Sequence, residues 1–448
     1  MRLLVVSNGF PPRGQWGTEF YTHELVHGLR SAGHEVAVLH PDRSGSKPRY
    51  TLERVHGGPV SVYLLHNPGD PRKSFADSYA NERVDAIFRG LLEEWKPDLV
   101  HFLYLLWGLS VGMPAAAREL AVPSVLTLTD FGLLCHRGQM YDWRMARCFG
   151  PHPPPVCARC IREPSDYDAS LPRVWSKRLA VRALAALGGA GRVVTAADLE
   201  DRERAVRAAL AAVGHLVAPT RVMAETFGRF GVPRERITQL VYSIDERPFA
   251  AARPEPAVHP EDGRVRFGFL GQFTPHKGLG TLVEAVQILE RRLPESVEPW
   301  EVRLYGKPAG GRHRRFAAVV LRAYRGDRLV VCDPFPAAEA PRVLKDLHAV
   351  VLPSEWDENA PLTVLQARAA GVPLVASDVP GVSEVVQHGV HGLLFPPGDA
   401  AALADAMREV ILRRMPRTGR HELPLSLPEH LSRVEAIYGR VRARGASA

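Results

Sequence analysis

The chain has 448 residues, more than one ordinary hydrophobic core holds, and this length predicts two domains. Its composition, 46% hydrophobic and 24% charged residues, is typical of a soluble globular protein. No uninterrupted apolar stretch approaches the ~20 residues that span a bilayer, which argues against a transmembrane protein. The net charge of +8 comes without a basic stripe and interleaved aromatic residues, so nucleic-acid binding has no support.

In the first half of the chain, short apolar runs alternate with helical patterns. The amino-terminal apolar run is short and leads directly into the first fold element, so we interpret it as a strand rather than a signal peptide and expect a cytoplasmic protein. Strands are predicted at residues 3–6, 36–39, 60–65, 99–102, 124–128, 216–218 and 237–241.

The second half repeats this alternation. Strands are predicted at residues 265–270, 302–305, 329–331, 349–352 and 374–376, and helices at 280–291, 338–347, 361–370 and 400–411. Such alternation predicts an α/β protein with two parallel, doubly wound sheets. Ligands of open α/β sheets bind at the carboxyl ends of the strands, so we expect the site between the two domains.

The domain boundary is predicted near Ser243 to Asp245, because the following stretch, 250–263, is rich in Pro, Ala and charge and lacks periodicity. A final apolar pattern that includes Leu431 and Tyr438 predicts one more helix. The predicted organisation is therefore a first domain at 1–245 with a cysteine-containing insertion at 132–212, a second domain at 246–426, and a carboxyl-terminal helix at 427–448.

The most informative stretch runs from Ser354 to Pro373. It follows the apolar run 349–352, and a helical pattern begins at Pro361 and ends at Gly371. Free backbone N–H groups at a helix N-terminus attract anions, and Glu358 beside them can accept hydrogen bonds from hydroxyl groups. A phosphorylated sugar satisfies both, so the stretch suggests a sugar nucleotide as ligand.

A second loop, Gly271 to Gly278, lies between a predicted strand and a predicted helix. Lys277 would present a compact positive charge to a leaving diphosphate, where negative charge grows as the glycosidic bond breaks. The first loop of the chain, residues 8–19, lacks the GxGxxG pattern, so a dinucleotide-dependent oxidoreductase has little support.

Glu358-Asn359-Ala360-Pro361, with Gln366 eight positions after Glu358, resembles the signature of the family 4 glycosyltransferases. The resemblance implies the GT-B fold: two Rossmann-like domains, an interdomain cleft, and a carboxyl-terminal helix that crosses back to the first domain. It also implies a retaining enzyme that needs no cofactor for catalysis. The residues it implies as catalytic are Glu358, Lys277 and Asp130, and those it implies as donor-binding are Gly17, Gln272, Lys277, Phe335, Glu358, Asn359, Ala360, Pro361, Leu362 and Gln366.

Three positions depart from the family. Gln272 stands where Arg is usual, which removes a bidentate charge contact to phosphate. Gln366 replaces the second Glu, which takes the donor's ribose hydroxyls in relatives, and it keeps one acceptor. Thr129-Asp130 stands where many relatives have His-Asp. These departures leave a non-catalytic, sugar-nucleotide-binding partner subunit as one alternative.

Four of the five cysteines, Cys135, Cys148, Cys157 and Cys160, cluster in the insertion. Four thiols are enough for a closed, tetrahedral, structural zinc site. Disulfides, unliganded cysteines and an iron–sulfur cluster are the alternatives. Segment 173–187 mixes apolar and basic residues with a weak amphipathic pattern, so an ordinary surface helix is favoured over peripheral contact with the inner face of the membrane.

The sequence therefore predicts a hexosyltransferase of the kind used in polysaccharide biosynthesis. It would move a hexose-like sugar from a nucleotide-diphosphate sugar to a hydroxyl acceptor, which is a glycan, a lipid-linked molecule or a small molecule. A sugar-nucleotide epimerase or hydrolase of the same fold is the alternative from another class of enzyme. The sequence does not reveal the base or hexose of the donor, nor the acceptor, because acceptor pockets are built from variable loops of the first half of the chain.

Overall fold

The computed structural model describes residues 1–13, 17–55, 58–68, 74–163, 193–251, 263–293, 299–412 and 423–445. The chain divides into two compact units. Unit 1 comprises Met1–Arg144, Cys148–Val241 and Pro428–Ala448, and unit 2 comprises Met145–Arg147 and Tyr242–Leu427. Segment 173–187, the predicted surface helix, lies outside the described residues.

Unit 1 is built on an eight-stranded sheet with the order β3-β4-β2-β1-β5-β6-β7-β8. Every pair of neighbours is parallel except the antiparallel pair of β3 and β4. The strands are β1 (Arg2–Val6), β2 (Glu35–Asp42), β3 (Thr51–Val55), β4 (Ser61–His66), β5 (Leu99–Phe102), β6 (Ser124–Thr127), β7 (His215–Ala218) and β8 (Ile237–Gln239).

The helices described in unit 1 are α1 (Gly17–Ser31), α2 (Glu82–Trp95), α3 (Met113–Glu119), α4 (Pro154–Arg162), α5 (Ala196–Ala212), α6 (Arg221–Arg229) and, at the carboxyl terminus, α13 (Leu427–Gly445). Capping side chains mark the starts of two of these helices. Asn81 accepts hydrogen bonds from the backbone N–H groups of Arg83 and Val84 and so caps α2. Thr195 and Asp198 form a reciprocal capping box at the start of α5.

Unit 2 contains a six-stranded, wholly parallel sheet with the order β11-β10-β9-β12-β13-β14. Its strands are β9 (Val265–Leu270), β10 (Trp300–Tyr305), β11 (Leu329–Cys332), β12 (Ala349–Leu352), β13 (Leu374–Ser377) and β14 (Gly392–Phe395). Its described helices are α7 (Arg247–Ala251), α8 (Leu279–Arg292), α9 (Gly311–Ala323), α10 (Ala340–Lys345), α11 (Leu362–Ala370) and α12 (Ala400–Ile411).

The prediction of two parallel α/β sheets is confirmed, and two strands were missed. Strand β3 carries half-buried and exposed side chains and lies at the sheet edge, where a pattern of burial is weak. Strand β14 is four residues long and also lies at an edge. The helix predicted at 338–347 is shorter, because residues Ala337–Glu339 form a 3-10 turn before α10 begins.

The carboxyl-terminal helix α13 packs within unit 1 through two buried Tyr–His hydrogen bonds. Tyr438 bonds Nδ1 of His101 at 2.6 Å, and Tyr21 bonds Nε2 of His430 at 2.9 Å. Burial lowers the pKa of His101 to about 3 and that of His430 to about 4, so both rings are neutral at pH 7. The helix is therefore held by neutral hydrogen bonds as well as apolar packing.

Helix α13 is 19 residues long but carries charged residues along its length. Among the described residues, no helix combines the length and the apolar character that crossing a bilayer demands.

Candidate active site

Two loops of unit 2 meet where neighbouring parallel strands end. Strands β9 and β12 pair directly, so the loops that follow them leave the same edge of the sheet. The backbone N–H of Glu355 donates to the carbonyl oxygen of His276 at 2.9 Å, which joins the loops. Gly278 has a φ of 72°, and a Cβ there would collide with the carbonyl oxygen of Pro353. Glycine is thus required both for the backbone conformation and for the close approach of the loops.

Lys277 and Glu358, predicted from separate loops, form an ion pair. The ammonium nitrogen of Lys277 donates to Oε1 of Glu358 at 2.7 Å, and the hydroxyl of Ser354 donates to the same oxygen at 2.5 Å. Glu358 is 3% exposed, whereas the side chain of Lys277 is 22% exposed. A buried carboxylate needs such donors to remain charged. The pair places one cation that reaches solvent beside one buried anion.

Trp356 is a site residue that the sequence reasoning missed. The Lys277 ammonium lies 5.1 Å from the centroid of its ring, and the ring of His276 meets it edge-on at 5.1 Å. Trp356 is buried, and its indole N–H has no hydrogen-bond partner in the described ranges. An aromatic face beside an ammonium group stabilises its position by cation–π attraction. The only sequence signal was an aromatic residue two positions before Glu358.

The N-terminus of α11 lies next to Glu358 in the chain. Pro361 occupies the N-cap position, and its side chain makes no capping hydrogen bond. The residue before it, Ala360, has a φ of 49°, a conformation that non-glycine residues rarely adopt. Uncapped N–H groups of a first helical turn carry partial positive charge and can bind an anion. The amide of Asn359 donates to the Tyr242 hydroxyl at 3.1 Å, which anchors this loop.

The remaining donor-binding candidates of unit 2 lie on loops at strand ends or on α11. Gln366 is half-buried on α11, about one and a half turns after Pro361. Gln272 is half-buried in the loop after β9. The ring of Phe335, after β11, meets Tyr305 edge-on at 5.4 Å, and Tyr305 ends the neighbouring strand β10.

Two predicted site residues belong to unit 1. Gly17 is exposed at the start of α1, and a Cβ added there would meet no atom of the described residues within 4 Å, so these surroundings do not require glycine. Asp130 follows β6 and accepts a hydrogen bond from the Gly132 N–H at 2.7 Å. Burial raises the pKa of Asp130 to about 6, against the lowering effects of that N–H and of Arg202. The hydroxyl of Thr129 donates to the carbonyl oxygen of Leu103 at 2.9 Å.

The four cysteines of the insertion are free thiols in the structure. Burial and the neighbouring thiols Cys135, Cys157 and Cys160 raise the pKa of Cys148 to about 11, so the four groups are near enough to interact. However, no three His, Cys, Asp or Glu side chains of the described residues are placed to hold a metal ion. The structural zinc site therefore stays a prediction, and metal analysis of the purified protein tests it.

Two family models match the chain. "Glycosyl transferase 4-like domain" matches residues 17–162, and "Glycosyl transferases group 1" matches residues 264–413. Together they cover about two thirds of the chain, and the second contains both loops of the candidate site.

Curated relatives are also glycosyltransferases. The chain is 32% identical to a D-inositol 3-phosphate glycosyltransferase of Nocardia farcinica, over 42% of this chain and 43% of that protein. The matched part thus spans less than half the length of that relative. A glycogen synthase of Mycobacterium tuberculosis is 25% identical over 92% of this chain and 86% of its own length.

Solved structures share the fold along the whole chain. Sucrose-phosphate synthase from Thermosynechococcus elongatus matches with a TM-score of 0.61 and 17% identity, over 100% of this chain and 97% of that one. HepE from Anabaena, solved with UDP-glucose, matches with a TM-score of 0.57 and 13% identity, over 100% and 98%. With both family models matched in order and this fold, the chain belongs to the group 1 glycosyltransferases of family 4 and has the GT-B fold.

Proposed function

We propose that this glycosyltransferase moves a hexose-like sugar from a nucleotide-diphosphate sugar to a hydroxyl acceptor, with retention of anomeric configuration. The observation that carries the proposal is the Lys277–Glu358 pair beside the uncapped N-terminus of α11. A diphosphate needs cationic and N–H donors, and a sugar needs a hydrogen-bond acceptor. Lys277 supplies the cationic donor and Glu358 supplies the acceptor, and the two groups are 2.7 Å apart.

Donor binding in this proposal replaces the ion pair with two ligand contacts. Lys277 turns to the diphosphate oxygens, and Glu358 accepts hydrogen bonds from sugar hydroxyls. Glu358 keeps the Ser354 hydroxyl as a donor, so the buried carboxylate stays partnered while Lys277 moves. The first N–H groups of α11, around Asn359 to Leu362, add donors to phosphate or sugar.

The nucleoside part is assigned to the neighbouring strand ends. Gln366 offers one carbonyl oxygen and two N–H donors to the ribose, and Phe335, in contact with Tyr305, offers a ring to the base. Gln272 contributes no charge, so Lys277 is the cation that this proposal assigns to the diphosphate. The HepE structure with UDP-glucose supports a nucleotide-sugar donor, and the glycosyltransferase and glycogen synthase relatives support transfer of a sugar.

The largest contribution to catalysis is electrostatic stabilisation of the departing diphosphate by Lys277 and the helix N-terminus. The proposed mechanism is front-face attack, in which the leaving phosphate helps to deprotonate the acceptor hydroxyl. Asp130, with a pKa near 6, is assigned a role toward the acceptor. No divalent cation is assigned to the reaction, and a cytoplasmic location with a glycan or lipid-linked acceptor completes the proposal.

A donor panel tests the proposal. The chain is incubated with UDP-, GDP-, ADP- and dTDP-sugars and with lipid and polysaccharide fractions, and mass spectrometry follows both nucleotide release and the new glycoside. We expect one donor to be consumed in an acceptor-dependent manner, and NMR of the product to show the donor's anomeric configuration. Acceptor-independent release of the nucleotide would indicate a hydrolase, and an inverted anomer would contradict retention.

A further inference from the structure

Three rings of unit 1 form a cluster that the donor site does not use. The ring centroid of His136 lies 4.7 Å from that of Phe75 and 6.1 Å from that of Trp107. Phe75 also meets Tyr79 edge-on at 5.8 Å. Trp107 is 46% exposed, although tryptophan is a residue that folding usually buries. We call Phe75, Trp107 and His136 the aromatic platform.

Trp107 is held in place by a rigid loop. It follows β5 and has a φ of 52°, a left-handed conformation that a bulky residue adopts at a cost in free energy. The next residue, Gly108, has a φ of 111°, and a Cβ there would press against Pro41. The amide of buried Asn67 donates to the Gly108 carbonyl at 3.0 Å, and Arg49 fixes that amide through a bond of 2.8 Å. The loop thus keeps an exposed indole in a strained backbone position.

The platform borders Asp130, the residue assigned to the acceptor side. A Cβ on Gly132 would lie 3.0 Å from Leu106, which precedes Trp107, and 2.8 Å from a carboxylate oxygen of Asp130. Arg202 contacts both regions, because its guanidinium donates to the carbonyl oxygen of Gly132 and lies 6.0 Å from the ring centroid of Tyr79, which meets Phe75. Trp107 follows β5 and Asp130 follows β6, and these strands pair in parallel, so both residues lie at the same edge of the sheet.

The chemistry of the platform suits one kind of ligand. The ring of His136 is half-buried and contacts the rings of both Phe75 and Trp107. The three rings present a small aromatic surface, and the carboxyl group of Asp130 lies at the same edge of the sheet. A pyranose ring has one face of C–H groups and a rim of hydroxyls, which matches an aromatic surface with polar neighbours. An acyl or polyprenyl chain would need a longer apolar groove.

We propose that Phe75, Trp107 and His136 form a stacking subsite for a pyranose ring of a saccharide acceptor. The inference rests on the proposed function, because it assigns the acceptor class to the same reaction. Trp107 supplies the exposed face, and Phe75 supports it through His136.

Saturation-transfer NMR on the full chain tests the subsite with methyl glycosides of glucose, galactose, mannose and N-acetylglucosamine, and with n-octyl phosphate as an acyl-chain probe. We expect at least one glycoside to receive saturation on the C–H groups of one ring face. Trp107→Ala should weaken its binding about tenfold, and Trp107→Phe much less. Phe149→Ala is the matched control, since Phe149 is 72% exposed and lies outside the platform, and it should bind as the unchanged chain does.

Nucleotide-sugar binding at the donor site is a separate measurement that checks folding and the proposed function. Nucleotide-sugar binding should be the same in Trp107→Ala as in the unchanged chain. Absence of glycoside binding, unchanged binding in Trp107→Ala, an equal loss in Phe149→Ala, or preferential binding of n-octyl phosphate would each overturn the subsite. If the glycosides bind through Trp107 but no nucleotide sugar is turned over, the subsite stands and the proposed function fails.

Discussion

The strand ends of the two units differ in the chemistry they present. In unit 2, a short ion pair and an uncapped helix N-terminus lie where β9 and β12 end. In unit 1, β5 is followed by Trp107 of the aromatic platform, and β6 is followed by Asp130, whose pKa burial raises to about 6. Charged groups are expected where a diphosphate departs, and an apolar surface is expected where a neutral saccharide acceptor binds. The same kind of sheet edge therefore supports two recognition tasks through the residues of its loops.

Removing the ammonium group of Lys277 in unit 2 should have the largest effect on donor turnover. Lys277→Ala is expected to lower kcat/KM for the donor by at least ~10²-fold, because one charge partner of the departing diphosphate is lost. The measurement is nucleotide release at several donor concentrations. Lys345→Ala, an exposed lysine on α10, is the control and should leave turnover unchanged. Equal turnover in Lys277→Ala and the unchanged chain would remove Lys277 from the mechanism.

Asp130 offers a pH test of unit 1. Its pKa is raised to about 6 from an ordinary value of 3.8, so the folded state binds its proton more tightly than the unfolded state. The stability that this proton supplies is complete below about pH 4 and is lost as the pH rises through 6. Between pH 4 and pH 7, the free energy of unfolding of Asp130→Asn should therefore rise by about 2 to 3 kcal/mol relative to that of the unchanged chain.

Urea denaturation at several pH values measures this difference. Asp327→Asn, at a side chain that is 94% exposed, should follow the pH profile of the unchanged chain. Parallel profiles for Asp130→Asn and the unchanged chain would show that Asp130 is not desolvated as described.

Weakening the attachment of α13 to the rest of unit 1 should have a smaller effect on stability. Tyr438→Phe removes the hydroxyl that bonds Nδ1 of buried His101 at 2.6 Å and leaves that nitrogen without this partner. We expect a loss of about 1 to 2 kcal/mol in the free energy of unfolding. Tyr63→Phe, at another buried tyrosine of unit 1, should cost less, and equal losses would argue against a special role for the Tyr438 bond.

Trp356 should have the smallest effect of the four. Trp356→Leu removes the ring face beside Lys277 and is expected to lower donor kcat/KM about fivefold, which corresponds to about 1 kcal/mol of cation–π attraction. Trp356→Phe keeps a ring and should recover much of this loss. A merely structural role would instead lower thermal stability in Trp356→Leu without the partial recovery of kcat/KM by phenylalanine.

Local patterns in the sequence were sufficient for much of this description. The parallel sheets follow from apolar runs that alternate with helical patterns, and Lys277 and Glu358 follow from loops that come after buried strands. Their ion pair joins residues 81 positions apart, and the sequence holds no signal for that distance.

Other features depend on tertiary contacts alone. Trp356 gains its significance from the position of Lys277 in another loop, and the aromatic platform joins three segments of unit 1. Strands β3 and β14 were missed because short edge strands have little burial pattern. The zinc site that the cysteine spacing suggests stays a prediction, because spacing does not determine whether four thiols converge on one point.

In the proposed reaction, the Lys277–Glu358 pair separates to hold a nucleotide-diphosphate sugar. A crystal structure with the donor that the panel selects tests this directly. We predict that Lys277 will contact the diphosphate, that Glu358 will contact the sugar hydroxyls, and that their 2.7 Å bond will be broken. A structure with the bond intact and the donor bound elsewhere would contradict the account.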